Sequence, residues 1–517
     1  MRPIVATTAG RVRGIERDGV CAFLGVPYAA PPLGPLRFAP PAPPAPWTGE
    51  RDASAFGPAP PQRPDALVTR LGLFPDGPQD EDCLRLNVWT PDPAGRRAMM
   101  VWLHGGAFVG GAAGVPLYDG ARLAREGDVV VVSVGYRVGA LGFLALGPGR
   151  TNVGLLDQLE ALRFVQRHAA AFGGDPARVA VFGESAGAGS VCALLAMPGA
   201  RGLFARAIVQ SGAPAGVLRP AEAVERAAKL LGKLGLGPED RERLASLPVA
   251  ELLDAQERTL AEGPFAKGML FMPVVDGEVL PQAPLDAVAA GSAREVDLVV
   301  GTTREEMHLF QLVGMGDWAT DALLPRIVAA QLVGEVEDPA AAAERLVAGL
   351  RRALLARGED ASAPALFYAL QTELGVRGPS IGLAEAHAAS GGRTWMYLFN
   401  WPSPMQAAGR ALRACHALDL PFTFGTLGAP RMAEFAGLGP DAERLSATLR
   451  AAWTAFARSG DPSPPGLTWP RYDPRRRATL ELGPVCRVVD APLEDERAAL
   501  AEAFAPRASG GAGRDGA

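Results

Sequence analysis

The stretch that most constrains this fold runs from Arg178 to Pro198. Arg178-Val179-Ala180-Val181-Phe182 is a short apolar, β-branched run suited to a buried strand. Gly183-Glu184-Ser185-Ala186-Gly187 follows, a G-x-S-x-G pattern. Ala188 to Met197 is rich in Ala and Leu and stops at Pro198, which suits a short helix. The pattern alone is weak in a chain with 62 glycines, because an ordinary Gly-rich strand-to-helix turn produces it too. Strand, tight turn and helix in that order say more. The glycines remove Cβ atoms where the backbone crowds, so a serine can stand above the edge of a sheet.

The surroundings repeat this rhythm. Strands are expected at 11–14, 20–25, 84–90, 98–103, 129–134, 205–209, 296–300 and 394–399. Residues 155–171 have helical spacing and stop at Phe172-Gly173-Gly174-Asp175-Pro176, and 441–457 read as a second long helix. Strand alternating with helix indicates an α/β fold with a doubly wound, mostly parallel central sheet. Residues near 220–260 and 318–390 are rich in Ala, Leu, Arg and Glu with helical period, and are expected to be cap-like helical insertions beside the sheet. Leu33, Leu36, Phe38 and Trp47 mark the proline-rich segment 31–46 as ordered and extended rather than a free linker. A single domain is expected over 1–506, with a disordered Gly/Ala-rich tail at 507–517.

At 517 residues and 48% hydrophobic the chain can bury a large core. A net charge of −5 argues against a nucleic-acid partner. No apolar run reaches the length of a bilayer span, and Arg2 is followed by no apolar leader segment, so no membrane partner is expected and the location is read as cytoplasmic. Five scattered cysteines form no CxxC pair or Cys/His cluster, which implies reduced thiols and no metal.

A serine at such a turn becomes a nucleophile only with a base in reach and an acid to orient that base. Five histidines are available. His168 and His387 lie inside helical patterns, His104 opens a glycine turn as scaffold, and His308 has no place as base in a simple α/β arrangement. His416 lies in a loop after the strand at 394–399, where a late base belongs. The acid should lie between Ser185 and His416. Val299-Val300-Gly301-Thr302-Thr303-Arg304-Glu305-Glu306 runs a strand into a loop with two carboxylates, one expected inside and one outside. The oxyanion formed on an attacked carbonyl needs fixed N–H donors. His104-Gly105-Gly106-Ala107-Phe108 follows a strand about eighty residues before the serine, so Gly106, Ala107 and Ala186 are the natural donors. Glu184, Ser211 and Asp419 are expected as supporting residues around this group.

These motifs in this order resemble the type-B carboxylesterases, the cholinesterase-like and para-nitrobenzyl esterase-like branch of the α/β-hydrolases. The resemblance spans about 8–490. It rests on Phe23 to Ala29, Pro35-Leu36-Arg37-Phe38, Glu81-Asp82-Cys83-Leu84, the His104 turn, Tyr136 to Gly139, Asn152 to Leu155, Phe172 to Pro176 and Gly183 to Gly187. Gln210-Ser211-Gly212, Pro273 to Gly277 and Gly460-Asp461-Pro462 complete it. It implies Ser185 as nucleophile, Glu306 as acid, His416 as base and structural Arg37–Glu81 and Arg137–Asp157 ion pairs. Glu305 would point away, to solvent or Arg304. Asp276 is the next place to look for the acid.

Three departures stand out. Pro60 replaces a cysteine that secreted members bridge to the one at position 83, leaving Cys83 a free thiol. Residues 61–82 lack the tryptophan that holds choline in cholinesterases. Ala107 replaces a glycine. The implied activity is hydrolysis of small-molecule carboxylic esters through an acyl-enzyme, by a monomer or homodimer without cofactor. A lipase, an amidase or carbamate hydrolase, and a non-enzymatic binding protein are the alternatives. Pocket walls are expected at 71–74, 265–272, 308–316 and 422–424.

Overall fold

The computed structural model describes residues 2–504 except 65, 73, 74, 76, 213, 215 and 263–268, so the expected tail at 507–517 lies outside the described residues. We number the eleven strands of the central sheet in chain order. They are β1 (Ile15–Arg17), β2 (Val20–Pro27), β3 (Arg85–Thr90), β4 (Arg97–Leu103), β5 (Val130–Val134), β6 (Gly174–Glu184), β7 (Arg206–Gln210), β8 (Asp297–Thr303), β9 (Thr394–Phe399), β10 (Ala478–Leu482) and β11 (Arg487–Asp490). Their order across the sheet is β11-β10-β9-β8-β7-β6-β4-β5-β3-β2-β1. The block from β10 to β5 is parallel throughout. Antiparallel β3, β2 and β1 extend one side and antiparallel β11 the other.

Strands covered on both faces must be apolar along their whole length, and β5 (Val-Val-Val-Ser-Val) and β8 (Asp-Leu-Val-Val-Gly-Thr-Thr) are buried at every position. The two-residue period of a strand then divides the core. In β4, Met99, Val101 and Leu103 join one apolar layer, while Met100 and Trp102 join the other. Helices Val153–His168 and Ala186–Ala196 cover the first face with Leu155, Leu162 and Val191. Helix Pro440–Ser459 covers the second with Leu449 and Trp453.

The two expected insertions behave differently from each other. Leu230, Leu231, Leu244 and Leu252 of the 220–260 region belong to the same apolar layer as the sheet. Residues Leu324–Gln331, Pro339–Ala356 and Ala363–Thr372 instead build an apolar cluster of their own with Ala499 and Ala503 of the last helix, Glu494–Phe504. Gly378–Ala389, at the end of the second region, lies against the sheet as the crossover before β9, with Ile381 and Leu383 in its core. Strands β10 and β11, five and four residues long, were not expected from the sequence: they mix charged with apolar residues, Ala-Thr-Leu-Glu-Leu and Arg-Val-Val-Asp, and β11 forms the sheet edge. Residues 11–13 pair in a separate three-stranded sheet with 4–6 and 50–52. The proline-rich segment is ordered, with Phe38 buried and Arg37 Nε 2.7 Å from Glu81 Oε2. Arg137 and Asp157 form a buried ion pair at 2.6 Å. All five cysteines are free.

Candidate active site

Parallel register brings the C-terminal ends of neighbouring strands together. Leu103 of β4 is paired with Gly183 of β6, Glu184 with Gln210 of β7, and Gln210 with Gly301 of β8. The loops that leave these ends therefore meet, which is where open α/β sheets place their sites.

Ser185 sits between β6 and helix Ala186–Ala196 with φ 55° and ψ −124°. A non-glycine residue held there costs roughly 1–3 kcal/mol, so the neighbours must enforce it. The Ser185 amide donates to the Gln210 carbonyl at 3.0 Å, and its carbonyl accepts from Gly189 at 2.9 Å as the helix begins. A Cβ on Gly187 would lie 2.0 Å from the Leu103 carbonyl oxygen, so only glycine lets the turn press against β4.

On the neighbouring strand end, Gly106 has φ 117° and Ala107 φ 52°. A Cβ on Gly106 would lie 2.3 Å from the Gly110 oxygen. Ala107 thus takes a left-handed conformation in which its methyl is disfavoured. Among the described residues, no group accepts a hydrogen bond from the amides of Gly106 or Ala107. Ala186 opens its helix, where amides lack intrahelical partners. His104 is buried behind this turn, stacked on Tyr136 at 4.3 Å with Nδ1 2.9 Å from the Gly105 carbonyl. Burial pushes its imidazole down to about 4.

Glu306 begins a 3-10 helix, Glu306–Val313, just beyond β8 and is fully buried. Its Oε1 accepts from the Thr303 amide at 2.7 Å, and its Oε2 lies 2.6 Å from His416 Nδ1. The His416 amide also donates to the Glu306 carbonyl at 3.0 Å. The imidazole Nε2 stands 3.1 Å from Glu184 Oε1. That contact is within ion-pair range but off the line of a hydrogen bond, so Glu184 Oε1 has no hydrogen-bond partner. Burial opposes a charge on His416, yet Glu184, then the hydrogen bond and charge of Glu306, outweigh it and push the ring up to about 9. Burial pushes the Glu184 carboxyl up to about 8. The two titrate as a pair.

Glu305 is not outside. Its side chain is 15% exposed, reaches Arg304 at 3.3 Å and accepts from the Ala414 amide at 3.2 Å. Asp419 is buried beneath the base, where Oδ2 accepts from Gln210 Nε2 at 2.9 Å and from the Tyr397 hydroxyl at 3.1 Å. Burial raises its carboxyl to about 6. The Ser211 amide donates to the Gly301 carbonyl at 2.8 Å and its hydroxyl is buried without a partner. Sequence reasoning gave no role to Gln210, Tyr397 or Trp453. Gln210 ties them together, since its Oε1 accepts from Trp453 Nε1 at 3.1 Å. Its place at a strand end in register with Glu184 was the available signal.

Other expectations fall elsewhere. Asp276 caps its own turn, accepting from the Glu278 and Leu280 amides and from Asn152. His387 is buried between Thr394 and the Ala293 carbonyl, and His168 contacts Thr8. Of the expected pocket walls, Phe310 stacks beside His416 at 6.2 Å. Residues 73, 74 and 265–268 lie outside the described residues. Residues 422–424 are not a wall: Phe422 packs on Phe399 and Trp401, and Phe424 on Trp102, because their short helix faces the sheet. Among the described residues no group of three or more His, Cys, Asp or Glu side chains could hold a metal ion, and no helix is long and apolar enough to cross a membrane.

A sequence profile described as "Carboxylesterase family" matches residues 1–500. The chain is 38% identical over 509 residues to a para-nitrobenzyl esterase of Bacillus subtilis, covering 96% of this chain and 98% of that one. Among solved structures, a thermophilic PNB esterase superposes with a TM-score of 0.86 at 35% identity, covering 97% of this chain and all of the other. A carboxylesterase of Geobacillus stearothermophilus gives 0.83 at 38% identity, over 96% of this chain and all of that one.

Proposed function

We propose, from the premise that this chain belongs to the carboxylesterase family and hydrolyses carboxylic esters, that Ser185, His416 and Glu306 are its catalytic triad. The observation that carries the assignment is the 2.6 Å contact of Glu306 Oε2 with His416 Nδ1, with a strained serine at the end of β6, two strands from β8 at the same edge of the sheet. In this reading the Ser185 hydroxyl attacks the ester carbonyl while His416 Nε2 takes its proton. The same proton then passes to the departing alcohol, and water hydrolyses the acyl-enzyme by the same base. Glu306 fixes the tautomer with Nδ1–H donating and stabilises the imidazolium. The amides of Gly106, Ala107 and Ala186 would receive the oxyanion, which forms only in the reaction. In this structure Nε2 faces Glu184 rather than the serine. Catalytic hydrogen bonds often tighten only with substrate bound.

Ester chemistry is supported over lipase, amide or carbamate cleavage by relatives named as esterases. Free cysteines at all five positions favour a cytoplasmic location. A fluorophosphonate should label the protein at one equivalent, with the adduct on the peptide that carries Ser185. A label on any other residue would overturn the assignment.

A further inference from the structure

Gln210 ends β7, in register with Glu184 on one side and Gly301 on the other, and is fully buried. It is bonded in two directions. Its backbone carbonyl accepts from the Ser185 amide at 3.0 Å. Its side-chain Nε2 donates to Asp419 Oδ2 at 2.9 Å and to Thr423 Oγ1 at 3.2 Å, on the segment that carries His416. Trp453 fixes which way the amide faces. An indole N–H only donates, so Trp453 Nε1 holds Oε1 at 3.1 Å and turns the NH2 group toward Asp419.

Asp419 precedes the short helix Leu420–Phe424, where an aspartate ordinarily caps helix amides. Its side chain makes no such bond and turns inward to Gln210 and the Tyr397 hydroxyl. Three non-glycine residues around this tie have a positive φ: Ser185 at 55°, Ser211 at 53° and Ala417 at 64°. Ser185 donates to the Gln210 carbonyl, Ser211 follows Gln210 in the chain, and Ala417 lies between His416 and Asp419. Such conformations persist only where the surroundings enforce them. The base is thus tethered on both sides of its strained turn, by its own amide on the Glu306 carbonyl and by Asp419 on Gln210.

We propose that Gln210 is a positioning residue for ester hydrolysis: through Asp419 it locks the segment that carries His416 to the strand end that holds the Ser185 turn. The inference rests on the triad reading above. The same bond bears on charge. Burial raises the Asp419 carboxyl to about 6, and the Gln210 hydrogen bond opposes this more than the Tyr397 bond or the His416 charge does. His416 faces Glu184 at the end of β6, Glu306 of the acid loop and Asp419, and the charge of each favours the imidazolium.

Kinetics on one activated ester, with circular dichroism as folding control, test this. Gln210→Met should lower kcat about ten- to a hundredfold with little change in KM, the scale of a small misplacement at a reacting centre. Asp419 then loses a donor that favours its ionised form, so the alkaline-going rise in kcat/KM should move to lower pH. Asp419→Ala should cost about as much, and the double variant no more than either alone, because both cut one tie. Asp419→Asn keeps an acceptor for Gln210 and should stay within about tenfold of the parent. Losses that multiply in the double variant, or a folded Gln210→Met with kcat within about threefold of the parent and an unmoved pH profile, would overturn the inference. If Gln210→Met does not fold, the Asp419 pair decides, and equal losses from Asp419→Asn and Asp419→Ala would overturn it. Failure of the triad reading shows separately, as a fluorophosphonate label away from Ser185 in the wild-type chain.

Discussion

Glu305 and Ala414 are joined by two hydrogen bonds: the Ala414 amide donates to Glu305 Oε2 at 3.2 Å, and the Glu305 amide donates to the Ala414 carbonyl at 2.9 Å. With the His416 amide on the Glu306 carbonyl, they form a short ladder between the acid loop and the base loop. Removing the carboxylate strips one rung and leaves a buried amide unpaired, at a cost of about 1–3 kcal/mol. Glu305→Ala should lower kcat by about ten- to a hundredfold with little change in KM. Glu305→Gln keeps an acceptor oxygen and should stay within about tenfold of the parent. Steady-state kinetics on one activated ester decide this, and equal damage from both variants would contradict the ladder.

Glu306→Gln tests the acid itself. The amide preserves the shape but cannot stabilise the imidazolium and can select the wrong tautomer. Loss of the corresponding charge in a serine protease costs about ten-thousand-fold in turnover. A comparable loss, with circular dichroism unchanged, is expected here.

The pH profile should carry the mark of Glu184. His416 is pushed above its ordinary 6.5 to about 9, so the neutral ring needed as base is favoured only at higher pH. The alkaline-going rise in kcat/KM should therefore lie above 6.5, and Glu184→Gln should move it down. A rise below pH 6 in the parent would refute this. The sign for stability is the opposite. A raised folded value means that the charged ring's contribution is fully present below about 6.5 and is lost as pH rises through about 9.

Gly187→Ala should disable the enzyme without touching any side chain of the triad. The new methyl would lie 2.0 Å from the Leu103 carbonyl oxygen and would push the elbow off β4. A fall in unfolding temperature together with a loss of at least about a hundredfold in kcat/KM is expected, since small misplacements at a reacting centre have that scale of effect. Fluorophosphonate labelling of the variant should slow in parallel.

Local pattern by itself determined most strands of the parallel block, the elbow and the order of its neighbours. Apolar β-branched runs, glycine turns and helical spacing are short-range properties, so Thr394–Phe399 is read to the residue and Ser185 and His416 are singled out, whereas Glu306 is preferred over Glu305 only through the family resemblance. What the tertiary structure decided depends on which strand ends lie side by side. Gln210 meets Asp419 across 209 positions, and Glu305 meets Ala414 across 109. Glu305 points away from His416 to Arg304, as expected, but it is covered rather than outside, because the chain turns into a 3-10 helix at Glu306 and the loop that carries Ala414 lies over it. The charge state of His416 likewise follows from two carboxylates brought to one ring by separate strands and from burial that keeps water from screening them.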